Sequence, residues 1–532
     1  MRILVADEIS QEGIDVLAQA LTVDYQPDIS ADQLLNIIGE YDALLVRSRT
    51  RVTPDVLKKG TKLKVVGRAG VGVDNIDIHA ATEAGVLVIN SPEGNTASAA
   101  EHTIALMMSL ARHVSAADRS MKEGKWERSR FMGSELFNKT LGVIGLGKVG
   151  GRVAQTALSL GMKVIVYDPL VSAERAQQLN MQSVSLEEIW RRADFITIHT
   201  PKTRETTNLI SSTVLSRVKP GVRIINTARG GIIDEAALAR AIKDGRVAGA
   251  ALDVFENEPP RDKTLLELGE KVILTPHLGA STMEAQFNVA IDLAEQIRDY
   301  LTTGVAKSPV NLPFMKPEIL KALGRYVWLA EAMGAIAGEL SEGTIREMEV
   351  IAYGGLATKN IAPLTVAALR GMLLSKMEGV TYVNANLIAR NHGIQVRESK
   401  FEEASQFGEE LSVILSTEQG LTTSLSGTIL AHDEAIITRI NDFPINLTPA
   451  RYMLFTAHRD QPGMVAKVAG VLGQHDINIS TMSVARKGAR EDAVMVMTLD
   501  DPIGHDLVGQ LTEQGGIHMA RFVSLSTLTR GF

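Results

Sequence analysis

The sequence predicts an α/β protein of several domains: two doubly wound parallel sheets, then an α+β segment, then a small βαββαβ module. Three observations predict it. The chain has 532 residues, and a single hydrophobic core stops growing at about 250–300. Up to about residue 277, short β-rich runs alternate with helical patterns, the order that builds a parallel sheet covered by helices. From residue 451 the order changes to β-α-β-β-α-β, which two layers of antiparallel sheet and helix satisfy.

In the first segment, 1–97, the strand candidates are 3–5, 43–46, 63–66 and 86–89, with helices over 55–59 and 78–84 between them. No glycine-rich dinucleotide turn occurs there. A long helical pattern runs from Asn95 to about Glu123, with Thr96 or Ser98 as its N-cap. A second α/β region, within 98–282, has six strands over 141–144, 163–167, 195–198, 222–226, 248–253 and 272–275. A helix over 281–301 can return the chain to the first domain, which makes that domain discontinuous (1–97 plus 283–304). Gly304 and the stretch from Pro309 to Pro313 mark the next boundary. Residues 305–450 carry one long helix, 318–340, and strands such as 347–352 and 425–431. The last domain, 451–532, reads as strand 452–457, helix 463–474, strands 478–484 and 493–499, helix 502–511 and strand 520–525, a ferredoxin-like order.

Composition narrows the function classes. Hydrophobic residues make up 45% and charged residues 22%, as in a well-packed globular chain. The net charge is −7 and no stretch gathers Lys and Arg, so no nucleic-acid partner is expected. The longest apolar runs, such as 104–110, fall short of a membrane span. The start, Met1-Arg2-Ile3-Leu4-Val5, reads directly as a strand and not as a targeting segment, which points to the cytoplasm. The absence of cysteine excludes disulfides, a thiolate nucleophile and a Cys-ligated zinc site, and no metal is expected.

The strongest local signal is Leu141-Gly142-Val143-Ile144-Gly145-Leu146-Gly147-Lys148-Val149-Gly150. A glycine pattern of this kind is weak alone. Here it follows a buried strand, opens a helix over 151–160 and precedes a second strand that ends at Tyr167-Asp168. Gly145 makes the tight turn, Gly147 lets the backbone approach a pyrophosphate, and Gly150 lets helix and strand pack closely. The pyrophosphate then lies at the positive end of the helix dipole. Asp168 stands where a carboxylate accepts from the adenosine ribose hydroxyls and repels a 2′-phosphate, which favours NAD over NADP.

Oxidation of a hydroxy acid needs a base for the hydroxyl proton, a cation for the carboxylate and a fixed approach to the nicotinamide. Three strand-end loops offer such groups: Asn226-Thr227-Ala228-Arg229, Asp253-Val254-Phe255-Glu256-Asn257-Glu258, and Thr275-Pro276-His277-Leu278-Gly279-Ala280. Arg229 can fork a carboxylate. His277 is suited to proton exchange near neutrality. Glu258 can hold the other ring nitrogen and stabilise the imidazolium. Each residue alone reads as an ordinary loop side chain; their succession after a dinucleotide turn is what points to chemistry. Asp253 is a further candidate near the nicotinamide.

These four motifs, in order, resemble the D-isomer-specific 2-hydroxyacid dehydrogenase family over residues 1 to about 305. The resemblance implies Arg229, Glu258 and His277 as catalytic residues. It implies NAD contacts at Lys148, Val149, Asp168, Thr200, Asp253 and Gly279-Ala280, alongside Thr227, Ala228 and the glycine turn. At the end of a first-domain strand, Arg47-Ser48-Arg49 brings two guanidinium groups together, as a phosphate would require. Gly70 and Val71 lie in a second loop where the resemblance places substrate and nicotinamide contacts. A partner-subunit cation is also implied, and Arg128 or Arg130 is the nearest match.

Residues 305–450 resemble the intervening domain of long-form family members, and 451–532 resemble an ACT domain, a module that binds amino acids between paired copies. His458, Asp460 and Asn478 match its pocket, and L-serine is the implied effector. Pro462-Gly463 opens a helix whose N-terminus attracts a carboxylate. Together these segments imply oxidation of 3-phosphoglycerate to 3-phosphohydroxypyruvate by a homodimer or homotetramer. Two alternatives stay open: another hydroxyacid dehydrogenase or 2-oxoglutarate reductase, and a non-catalytic NAD sensor like the related corepressors.

Overall fold

A computed structural model describes residues 1–261, 263–312, 317–526 and 528. Pro313, the far end of the predicted boundary, lies outside them. The chain divides into two compact units: residues 1–8, 14–90 and the described residues from 293 on, and residues 9–13 with 91–292.

The first unit begins with a five-stranded sheet: β1 (Arg2–Val5), β2 (Thr22–Tyr25), β3 (Ala43–Val46), β4 (Val65–Arg68) and β5 (Leu87–Asn90). The order is β2-β1-β3-β4-β5, and every pairing is parallel. β3, Ala-Leu-Leu-Val, is buried throughout, as expected of a strand covered on both faces. Leu4, Leu44, Val66 and Val88 pack with Leu34, Ile38, Val56 and Ala81 from the flanking helices. Those helices start where side chains satisfy their first N–H groups: Ser30 with a capping box to Gln33, Thr53 ahead of Pro54, and Asp77. At the far edge residues 309–311 close the sheet. Ile89 bridges Pro309, and Val88 N–H donates to Asn311 Oδ1 at 2.9 Å.

The same unit continues with a mixed six-stranded sheet of order β14-β13-β15-β16-β17-β18. Its strands are β13 (Ile345–Tyr353), β14 (Gln395–Phe401), β15 (Glu410–Thr417), β16 (Thr422–Ile429), β17 (Ala435–Ile440) and β18 (Phe443–Leu447). Only the β13–β14 pairing is parallel. Two buried helices, Tyr326–Leu340 and Ala362–Leu374, cross in backbone contact: a Cβ on Gly334 would meet Ala368 O at 1.9 Å. Between them Glu331, fully buried, pairs with Arg370 and accepts from the Tyr382 hydroxyl at 3.0 Å.

The last sheet is antiparallel, of order β20-β21-β19-β22, from β19 (Tyr452–Arg459), β20 (Ile479–Arg486), β21 (Asp492–Leu499) and β22 (Ile517–Ser524). Helices Met464–Gln474 and His505–Thr512 pack on one face through Val468, Leu472, Leu507 and Leu511. This is the ferredoxin-like order expected. Lys487 reaches Asp442 at 2.8 Å and Arg521 reaches Glu342 at 3.0 Å, tying this module to loops beside the preceding sheet.

The second unit holds a seven-stranded parallel sheet: β6 (Thr140–Ile144), β7 (Lys163–Tyr167), β8 (Gln182–Ser183), β9 (Phe195–Ile198), β10 (Val222–Asn226), β11 (Val247–Leu252) and β12 (Val272–Leu274). Its order, β12-β11-β10-β9-β6-β7-β8, reverses direction between β6 and β9. That switch point is where doubly wound folds bind nucleotides. Leu141, Val143, Phe195 and Ile225 face helices Thr96–Arg112 and Lys148–Ser159; Ile144, Ile196 and Ile224 face the helices of Ile189 and Leu238.

Several elements differ from expectation. The helical pattern of 95–123 is two helices, Thr96–Arg112 and Val114–Lys122, broken at His113 with φ 54°. Its N-cap is Asn95, with no side-chain cap, and neither Thr96 nor Ser98 fills that place. The single helix of 318–340 is likewise two, Pro317–Leu323 and Tyr326–Leu340, with Gly324 at φ 54° between them. β2 and β8 add edge strands the pattern did not announce.

Candidate active site

β6 ends directly in the glycine turn. Gly145 has φ 92°, a conformation that L side chains avoid. A Cβ on Gly150 would come within 2.0 Å of Gly145 O, so helix and turn leave no room for one. Gly147 is different. It caps the helix Lys148–Ser159 without a side chain, and a Cβ built on it meets nothing within 4 Å. The twelve-residue helix thus begins with no side chain over its N-terminus, the arrangement a pyrophosphate uses. Asp168, at the end of β7, accepts from Leu146 N–H at 2.7 Å and from Leu170 N–H at 2.8 Å, which anchors the carboxylate beside the turn. Thr200 Oγ1 is shielded and finds no partner among the described residues. The orphaned hydroxyl, the open glycine and the anchored carboxylate fit a dinucleotide. The Lys148 ammonium pairs with Glu93.

β10 leads into the Arg229 loop, where Asn226 sets the conformation. Its side chain accepts from Ala228 N–H at 3.0 Å and donates to Arg229 O at 2.9 Å. The half-buried Arg229 guanidinium donates to Ala228 O at 2.7 Å.

β11 leads into the loop of Glu258, and β12 into that of His277. His277 has φ 56° and an exposed ring. Its Nδ1 lies 2.7 Å from Glu258 Oε2, and Glu258 Oε1 accepts from Phe255 N–H at 3.1 Å. Burial acts to raise the Glu258 carboxyl, but donation from His277 and Phe255 outweighs it and holds the group below the usual carboxylate range. The carboxylate therefore stays charged opposite the ring, and Nε2 is left to meet a substrate.

Asp253 is fully buried. It accepts from Thr275 Oγ1 at 2.5 Å, Leu278 N–H at 2.7 Å and Gly279 N–H at 2.8 Å, with His102 Nε2 at 3.2 Å. Desolvation pushes its carboxyl up, yet these donors keep it below its ordinary value. Asp253 thus holds the turn that carries His277, with no carboxylate surface left toward a nicotinamide. Sequence reasoning missed His102, Ser98 and Thr103, whose polar side chains point from an apparently ordinary helix.

In the first unit, a cavity of about 440 Å³ is lined by Asp7, Glu8, Tyr25, Pro27, Asp28, Arg47, Ser48 and Arg49. The two arginines differ. The Arg49 guanidinium donates to Asp7 at 3.4 Å and to Ala6 O at 3.0 Å and also contacts Pro27 O, which fixes the loop. Arg47 uses its backbone N–H on Asp7 at 2.5 Å, and the residue lines the cavity. Gly70 has φ 138°, and Val71 O accepts from Asn90 at 2.6 Å. Arg130 is committed to Glu127 and Glu270, both in its own unit.

In the ACT-like module, His458 is buried, its Nδ1 without a hydrogen-bond partner among the described residues, while Asp460 accepts from Arg486 at 3.0 Å and Asn478 donates to Asp500 at 2.6 Å. Burial lowers the His458 pKa. No helix among the described residues is long and apolar enough to cross a membrane, and no group of metal-ligating side chains occurs among them.

Comparison with known proteins defines the class first. Residues 104–279 match the D-isomer specific 2-hydroxyacid dehydrogenase, NAD binding domain; 322–441 match the D-3-phosphoglycerate dehydrogenase intervening domain; 452–514 match the ACT domain. A D-lactate dehydrogenase from Aquifex aeolicus, solved with NAD and lactic acid, aligns with TM-score 0.52 and 29% identity over 57% of this chain and 96% of its own. A D-3-phosphoglycerate dehydrogenase from Synechocystis sp. is 48% identical over 98% of this chain and 95% of its own length. One from Archaeoglobus fulgidus is 42% identical over 99% of this chain and 100% of its own. The chain belongs to the D-3-phosphoglycerate dehydrogenase family.

Proposed function

We propose that this chain catalyses the NAD-dependent oxidation of D-3-phosphoglycerate to 3-phosphohydroxypyruvate, the step that opens L-serine formation. The observation that carries the chemistry is the 2.7 Å pair of His277 Nδ1 and Glu258 Oε2 on adjacent strand-end loops, in a chain that matches such dehydrogenases end to end.

In this reading Arg229 holds the substrate carboxylate with paired charged hydrogen bonds. His277 Nε2 takes the C2 hydroxyl proton, and Glu258 fixes the tautomer and balances the imidazolium that results. Bound NAD would supply the hydride acceptor; with the hydroxyl proton on His277 and the C2 hydrogen leaving as hydride, the alcohol gives up two electrons and two protons in all and becomes the ketone. Gly145, Gly147, Val149, Gly150, Asp168 and Thr200 are assigned to the cofactor. For the phosphate we assign Arg47 in preference to the Arg47/Arg49 pair, because Arg49 is spent on its own loop. We further assign the ACT domain an amino-acid effector, L-serine, at His458. We expect a cytoplasmic homo-oligomer.

The test is NADH consumption with 3-phosphohydroxypyruvate, 2-oxoglutarate, glyoxylate and pyruvate, each with and without L-serine. Strong preference for the phosphorylated acid supports the proposal. Turnover of the unphosphorylated acids alone would overturn the substrate assignment, and an unchanged rate with serine would overturn the effector.

A further inference from the structure

We propose that the helix Thr96–Arg112 is the positioning element of the reaction, and that His102 is its central residue, acting on the proposed base His277 through Asp253 and Thr275. This rests on the reading of His277 and Arg229 as catalytic.

Four contacts from three residues of the helix carry it. Ser98 Oγ, buried, donates to Gly279 O at 2.8 Å. His102 Nε2 stands 3.2 Å from Asp253 Oδ1 and 3.2 Å from Thr275 Oγ1. Thr103 Oγ1, fully buried, lies 2.7 Å from Thr227 Oγ1, two residues before Arg229. Ser98 and His102, four apart, share one stripe of the helix, and both hold the turn of His277. Thr103, the next residue, holds the loop of Arg229.

The proton positions follow from counting donors. Thr275 has one hydroxyl hydrogen and donates it to Asp253 Oδ1 at 2.5 Å, so its oxygen can only accept from His102. The ionised Asp253 also only accepts. His102 is therefore the Nε2–H tautomer and shares that hydrogen between Asp253 and Thr275. By the same count Thr103 donates to Ala99 O at 2.7 Å, so Thr227 donates to Thr103. The helix's bonds thus end on Gly279, Thr275 and Thr227, each two residues from His277 or Arg229, and on Asp253.

Asp253 then acts as the transmitter. Its carboxylate receives both backbone N–H groups that follow His277, those of Leu278 and Gly279, and its carbonyl accepts His277 N–H at 2.9 Å. These bonds hold His277 in the left-handed conformation that sets the ring's direction, a conformation uncommon outside glycine. Withdrawing the His102 donor leaves the carboxylate one partner short and lets the turn relax.

The experiment uses the full chain and compares His102→Ala, His102→Gln, His102→Leu and His277→Ala. The readouts are the single-turnover rate of NADH consumption with 3-phosphohydroxypyruvate at saturating NADH, and thermal unfolding. His102→Ala and His102→Leu should slow the single turnover by about ten- to a hundred-fold, the scale of a displaced catalytic group. His102→Gln, whose amide N–H reaches about as far as Nε2, should recover to within a few-fold. Leu fills the space without donating, so a Leu variant as fast as Gln, or an Ala variant as fast as the parent, would overturn the proposal. Should Ala fail to fold, the Gln and Leu pair decides. Full turnover by His277→Ala would instead sink the underlying catalytic reading, whatever His102 does.

Discussion

At the scale of single residues, the proposed chemistry rests on few groups whose environments differ sharply. The His277 ring is exposed and tethered at one nitrogen, which suits a group that must exchange a proton with substrate. His277→Ala should lower kcat by about 10²–10⁴-fold while NADH affinity, measured by fluorescence titration, stays within a few-fold. Glu258→Gln keeps an acceptor for the ring but removes the charge opposite the imidazolium, so a kcat loss of about 10²-fold or more is expected. The carboxyl of Glu258 is depressed in the folded chain. The pair's stabilisation is therefore complete above the ordinary carboxylate pKa and is lost as pH falls through the lowered value. The three catalytic candidates were legible because each sits at a strand end after a recognisable turn. The division of labour between Arg47 and Arg49 was not, because both are the same residue type in one short loop. What distinguishes them is a set of acceptors twenty or more residues upstream, the Asp7 carboxylate and the carbonyls of Ala6, Pro27 and Ile29, which the Arg49 guanidinium meets.

At the scale of elements, the glycine turn separates two roles that one pattern had joined. Gly147→Ala adds a methyl to open space at an ordinary φ of −68°, so thermal stability should hardly change while NADH binding weakens at least ten-fold. Gly150→Ala pushes a methyl into Gly145 O, and its melting temperature should fall as well. Beneath the turn lies His199. Its N–H donates to Ile144 O at 2.8 Å, and its imidazole touches Thr197 at 2.9 Å. Burial pushes that imidazole down to about 4. Above pH 6.5 both folded and unfolded chains carry it neutral. Between there and about 4 only the unfolded chain takes up a proton, so stability declines as pH falls, by up to roughly 3 kcal/mol. Urea titrations across that window should show the slope, and His199→Asn should flatten it. Strands were legible wherever a run was apolar and fully buried, as in β3 and β9. β2, Thr-Val-Asp-Tyr, and the two-residue β8 are half-exposed edges without such a run. The helix break at His113 carries no glycine or proline to announce it, and Ser98, His102 and Thr103 are hidden in a pattern that reads as plain helix.

At the scale of the whole molecule, the proposed pyrophosphate cradle, residues 145–150 with Asp168, lies in the second unit. NADH at a hundred times its Kd stabilises what it binds by about 2.7 kcal/mol. Hydrogen exchange should therefore slow over residues 144–150 and 168–170 on NADH addition. The buried Glu331–Arg370 pair in the first unit should be insensitive to it. A protection pattern spread evenly over both units would contradict this division.

The Asn311 side chain that completes the edge of the first sheet lies 223 residues after Val88, the strand residue it serves. A ribosome adding about 5–20 residues per second takes roughly 10–45 seconds to bridge that interval. During that time β5 waits with an unclosed border while the whole nucleotide unit emerges and folds. The nascent chain's exposure to misassembly thus concentrates on its first ninety residues, and chaperone dependence should track the speed of translation between Val88 and Asn311.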